Sequence, residues 1–150
     1  MAISFENYPK ERYILICCAQ GDIAQTAMHW FEREKPQAEL VLFYSIPGDI
    51  IDVTMLDYDK FIEHIEIGLK KRANKIVMIA HGPHCVRRAE VFGHEQLTAG
   101  ELLRQIEVTV SILRDRLYQY TFEIEPYLIY GPEGTEPEQV AQLAARNRFL

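Results

Sequence analysis

The sequence lacks what would take a chain into a membrane or onto a nucleic acid. No apolar run approaches the roughly 18 residues that cross a bilayer, and the opening MAISFENYPKER holds no apolar signal core. A basic surplus is missing too. Sixteen Lys and Arg stand against 22 Asp and Glu, a net charge of −6, whereas a phosphate-binding surface wants a basic patch. These absences predict a soluble cytoplasmic protein with no membrane or nucleic-acid partner. Cysteine is scarce: Cys17, Cys18 and Cys85 are all there are, an odd, small number that does not read as a disulfide framework. Metal binding, a reactive thiol or core packing remain, and packing is the commonest fate of any one cysteine. Repeats, low-complexity tracts and linkers are absent as well, so the 150 residues read as a single domain with a sizeable core.

What is present alternates. Tyr13 to Cys18 (YILICC) is a continuous apolar run, as expected of a strand covered on both faces. Asp22 to Glu34 has helical character, with Asp22 able to cap its start and Pro36 just past its end. Glu39 to Ser45 reads as a second buried strand, and Pro47-Gly48-Asp49 as a turn. From Tyr58 to Arg72, Phe61, Ile62, Ile65 and Leu69 fall on one helical face. Lys75 to Ala80 is a third buried strand. Thr98-Ala99-Gly100-Glu101 has the form of a capping box, with a helix to about Leu117. Phe122 to Tyr130 alternates like a strand, and Glu136 to Arg146 reads as a terminal helix. This order predicts an α/β fold, a mostly parallel sheet flanked by helices.

Ligands of such sheets sit at the carboxyl ends of the strands, which draws attention to KIVMIAHGPHCVRRAE, residues 75–90. The strand stops at His81, and a Gly-Pro turn leads to His84 and Cys85. Cys17 and Cys18 end the first strand. If the two strands are neighbours their ends lie about 5 Å apart, and Cys18, His81 and either His84 or Cys85 can converge. Thiolate and imidazole in a tetrahedron are what zinc favours. Water or Asp22 would supply the fourth corner, and an open corner lowers the pKa of bound water to about 7.

The chain resembles the β-class carbonic anhydrases over nearly its full length. That family has C-x-D-x-R after its first strand, a turn like R-N-A-G-N after its second, and G-H-x-x-C-G after its third. Here the corresponding stretches are ILICCAQGD, LFYSIPGDI and MLDYDKFIEHIEIGLKKRANKIVMIAHGPHC. The resemblance implies zinc (Zn2+) held by Cys18, with Cys17 as the neighbouring alternative, by His81, and by Cys85 or His84: strict spacing favours His84, chemistry Cys85. It implies hydration of carbon dioxide or a similar small linear molecule, and a homodimer or higher homo-oligomer. The family's aspartate and arginine are Gln20 and Asp22 here, so Gln20 or Asp22 would have to assist the reaction. The alternative is a non-catalytic binding or regulatory module for a partner or small anion, with or without structural zinc. A thiol sensor is a third reading and needs the Cys18 and Cys85 sulfurs close enough to bridge. Arg87 and Arg88 read as a solvated helix face or an anion contact, His29, His64 and His94 as ordinary helix or loop residues, and Met28, Trp30 and Phe31 as core or subunit interface.

Overall fold

Six consecutive buried residues, Tyr13 to Cys18, leave strand β1 (Arg12–Cys18) without a solvent face. Strand β3 (Lys75–Gly82) is buried in the same way from Ile76 onward. Such runs belong in the middle of a sheet covered on both sides, and the strand order β2-β1-β3-β4-β5 puts them there. The protein is seen here as a computed structural model that describes residues 11–46, 58–83, 85 and 97–146. β1 pairs in parallel with β2 (Glu39–Ile46) on one side and with β3 on the other. β4 (Glu123–Tyr130) runs parallel to β3, and the two-residue β5 (Glu138–Gln139) lies antiparallel beside β4. The fold is α/β, with a mostly parallel five-stranded sheet flanked by helices, as the element order predicts.

Alternation of side chains along each strand sorts the core into two layers. Tyr13, Leu15, Val77 and Ile79 face helix α1 (Gly21–Glu34), which buries Ile23, Ala27, Trp30 and Phe31 against them. Ile14, Ile16, Ile76 and Met78 face the opposite layer, with helices α2 (Tyr58–Lys70), α3 (Ala99–Arg116) and α4 (Val140–Arg146). This division follows from handedness. Right-handed crossovers that step left across a sheet pass over one face, and those that step right pass over the other. The step from β1 to β2 uses α1, while the later steps to β3 and β4 use α2 and α3. The direction of travel therefore reverses between β1 and β3, the place where open α/β sheets form ligand crevices.

The helical spacing read in the sequence is the buried face of α2: Phe61, Ile62, Ile65 and Leu69, joined by Gly68. A Cβ on Gly68 would lie 2.6 Å from Ile14 Cδ1 and 2.7 Å from Ile14 Cγ1. The stiff, fully buried isoleucine has little room to yield. Gly68→Ala is therefore expected to destabilise by about 1–3 kcal/mol through overpacking, despite alanine's better helix propensity, as urea titration would read. At the start of α3, Glu101 N–H donates to Thr98 Oγ1 over 3.1 Å and Glu101 reaches back to the Thr98 N–H, completing the capping box. Thr98→Ala should cost about 1 kcal/mol by the same measurement.

β1, β2 and β4 each differ from the sequence reading by one residue at one end, and four other boundaries differ as follows. α1 begins one residue earlier, with Gln20 at its cap position and no side-chain cap bond. Asp22 thus lies inside the first turn and is not the cap; its charge suits the helix start there through the macrodipole. α2 ends at Lys70. β3 continues two residues past Ala80, because His81 and Gly82 keep pairing with Ile129 and Tyr130 of β4. The terminal helix is shorter than expected, because Glu138 and Gln139 pair with Leu128 and Tyr127 at the sheet edge before the chain turns helical. The turn at Pro47-Gly48-Asp49, and His84, Arg87, Arg88 and His94, lie outside the described residues.

Candidate metal centre

The reversal between β1 and β3 places the end of one strand beside the end of the other. Pairing of Ile16 with Met78 sets the register; two residues on, β1 finishes at Cys18, while β3 carries His81 just before its end. The chain then passes through the cis Gly82–Pro83 peptide to Cys85. The Sγ atoms of Cys18 and Cys85 and a ring nitrogen of His81 all lie within 4.8 Å of one another, and all three residues are buried. These residues are close enough to hold a metal ion.

Electrostatics prepare one of the sulfurs as a ligand. A hydrogen bond with Cys85 is the largest influence on Cys18, and His81 and the Gln20 N–H, 3.5 Å from the sulfur, act in the same direction. Burial opposes them and loses, so the Cys18 thiol is drawn down from 9.0 to about 3. A thiolate is the form that binds metal. The donor set, two sulfurs and an imidazole, suits zinc. Zn–S bonds of about 2.3 Å in a tetrahedron set donors roughly 3.5–3.8 Å apart, so the three side chains need to close by only about an ångström.

A small cleft of about 150 Å³ opens beside this cluster. His81 and Gly82 form one wall, Gln20, Asp22, Ile23 and Thr26 a second, and the 131–135 loop after β4 a third. Gln20 Nε2 donates to Asp22 Oδ1 over 2.9 Å. The loop is held by Gly131 N–H to Gly82 O at 3.0 Å and by Thr135 Oγ1 donating to Pro132 O at 2.7 Å. Gly134 takes φ +91°, a conformation open to glycine at little cost.

The singled-out residues that the structure describes take these places. Cys18, His81 and Cys85 come together. Asp22 is not part of that set but lines the cleft with Gln20 and His81. Cys17 is fully buried and packs with Tyr13 and Leu15 in the α1 layer. No disulfide joins any of the three cysteines, and the Cys18 and Cys85 sulfurs lie within 4.8 Å of each other, as the sensor reading needs them near. Trp30 and Phe31 are core, each edge-on to a tyrosine (Tyr127 and Tyr13). His64 is exposed, stacked on Tyr44. Thr26, Glu133 and Thr135 were not foreseen. Glu133 and Thr135 reach the cleft from a loop more than a hundred residues beyond Gln20, and nothing local in PEGT marks them as more than a turn.

Comparison with known proteins finds no matching family model, no matching curated protein and no matching solved structure. No helix among the described residues is long and apolar enough to cross a membrane.

Proposed function

We propose that this chain binds zinc through Cys18, His81 and Cys85 and is a divergent relative of the β-class carbonic anhydrases, a lyase or hydrolase acting on carbon dioxide or another small linear molecule. The observation that carries the reading is the convergence of two cysteines and a histidine, distant in sequence, at the point where the strand order reverses. Zinc held there supplies Lewis acidity and makes water acidic enough to be a nucleophile near neutral pH. The chain's own residues do the rest. Cys18 and Cys85 offer sulfur, His81 offers a ring nitrogen, and the buried walls exclude bulk water. Asp22 is one of two carboxylates, with Glu133, that line the cleft with His81; we assign it the role of proton acceptor, with the Gln20 amide fixing its position. A small molecule reaches the centre through the cleft.

A second reading is a zinc-stabilised module that binds without turning over. It is favoured by the Gln20–Asp22 hydrogen bond, which engages the proton acceptor, and by the absence of an arginine four residues after Cys18. Elemental analysis of freshly purified protein, followed by a carbon dioxide hydration assay, separates the two. The wild type and His84→Ala should hold about one zinc per chain, and Cys85→Ser should lose most of it, since a site needs its full donor set. Zinc with hydration supports the enzyme; zinc without hydration supports the module. Wild-type protein without metal refutes both zinc readings.

A further inference from the structure

A second cavity, of about 670 Å³, lies between the start of α3, the end of β4 and α4. Its size is within the range of sites that hold organic molecules, about 300–1,000 Å³. Leu128, Tyr130 and Leu143 give it an apolar side. Cys18, His81 and Cys85 do not line it, so it is a place apart from the metal centre.

The charges around this cavity are unevenly matched. Two glutamates line it, and each is already held. Glu136 takes two bonds from Arg33, at 2.9 and 2.5 Å, and Glu138 is gripped by both terminal nitrogens of Arg146. Arg104 lines the cavity too and has neither an ion pair nor a hydrogen bond among the described residues. The carboxylates that could have neutralised it are spent on other arginines. A guanidinium offers five N–H donors in a flat fork that matches a carboxylate. Arg104 stands four residues after Gly100, so the two share a helix face. The N–H groups of Ala99 and Gly100 have no acceptor within the helix and none elsewhere among the described residues, while Thr98 Oγ1 is taken by the Glu101 N–H. A Cβ on Gly100 would meet nothing nearer than Thr98 Oγ1 at 3.9 Å, so the space beside it is open. The cavity thus combines an unmatched positive charge and free donors with an apolar side.

We infer that this cavity binds a small organic anion, a carboxylate carried on an apolar body, and that Arg104 recognises its charge. Leu128, Tyr130 and Leu143 receive the body; Arg104 and the first N–H groups of α3 hold the carboxylate. The site goes beyond the zinc reading and does not depend on it, since the two share no ligand residue.

Benzoate, benzamide and acetate test it. Benzoate carries both charge and ring, benzamide keeps the ring without the charge, and acetate keeps the charge without the ring. Each is titrated into the chain as purified, following the backbone amides of Ala99 and Gly100 by NMR. Benzoate should shift both resonances and bind about tenfold more tightly than either analogue, since each analogue lacks one of the two contributions. Arg104→Gln should bring benzoate down to the affinity of benzamide. Arg104 is exposed, so this variant should keep the wild-type urea midpoint. Arg104→Lys, which keeps the charge but not the fork, should fall between. Cys85→Ser tells a carboxylate in the cavity from one drawn to a metal: the benzoate shifts at Ala99 and Gly100 should persist in it. Benzoate leaving those two amides unmoved would overturn the proposal. So would benzamide binding as tightly as benzoate, or an unchanged benzoate affinity in Arg104→Gln. Shifts that vanish in Cys85→Ser would place the carboxylate on the metal and overturn it as well.

Discussion

On the zinc proposal, Cys18→Ser is expected to strip the protein of zinc. Apparent binding free energies of structural zinc are about 10–16 kcal/mol near neutral pH for a full ligand set, so the loss of one thiolate should cost on the order of 3–5 kcal/mol, or roughly two to four decades in affinity. Competition against a chromophoric chelator reads that range directly. An affinity within about threefold of wild type would place the metal elsewhere. The same residue predicts the acid behaviour of the metal-free chain. Its thiol is drawn from 9.0 down to about 3, chiefly by the hydrogen bond with Cys85. A group that gives up its proton more readily when folded stabilises the fold fully above its unfolded value. That contribution shrinks as pH falls and is gone below the folded value. Urea midpoints of metal-free wild type should therefore rise with pH between about 3 and 9, and the Cys18→Ser slope should be flatter. Thiolate ultraviolet absorbance persisting well below neutral pH would be the direct sign.

Phe61→Ala should be the most damaging single truncation in the α2 layer. Phe61 is 2% exposed, with its ring 5.8 Å from that of Tyr44 and 6.4 Å from that of Tyr58. Truncating a buried phenylalanine costs about 3–5 kcal/mol, part lost transfer energy and part cavity, out of a total stability that is about 5–15 kcal/mol in ordinary domains. The urea midpoint should fall steeply while the slope of the transition holds. Ile67, on the same helix but 47% exposed, is the control: Ile67→Ala should stay within about 0.5 kcal/mol of wild type.

The parts of this molecule legible in its sequence are those where burial leaves a periodic trace. YILICC and KIVMIA declare themselves because neither strand has a solvent face, and the stripe Phe61, Ile62, Ile65, Leu69 because α2 has one apolar side. Thr98 and Glu101 spell out their own hydrogen bonds. His81 was legible as a polar residue breaking an apolar run. Choosing Cys85 over His84 was not, because counting residues cannot follow a chain through Gly82-Pro83; the structure gathers Cys85 with Cys18 and His81, while His84 is outside the described residues. β5 was hidden, since two residues of edge pairing leave no pattern and VAQLAAR pulls the reading toward helix. Asp22 was misassigned for a related reason. An acid near a helix start satisfies two rules at once, the cap and the dipole, and only the backbone at Gln20 decides between them. The cleft was illegible in principle, because its walls are joined by topology alone.

The two margins of the sheet are unequal, and this limits what the protein can build. Among the described residues, β2 offers on one side eight residues paired to β1 alone; on the other, β5 offers two and covers only Tyr127 and Leu128 of β4. For growth by strand addition, β2 is therefore the longest continuous free margin among the described residues. Two copies that meet β2 to β2 do so about a twofold axis, and each consumes the other's long free margin. An assembly made that way has the strand ends that carry Cys18 and His81 pointing in opposite directions in the two copies.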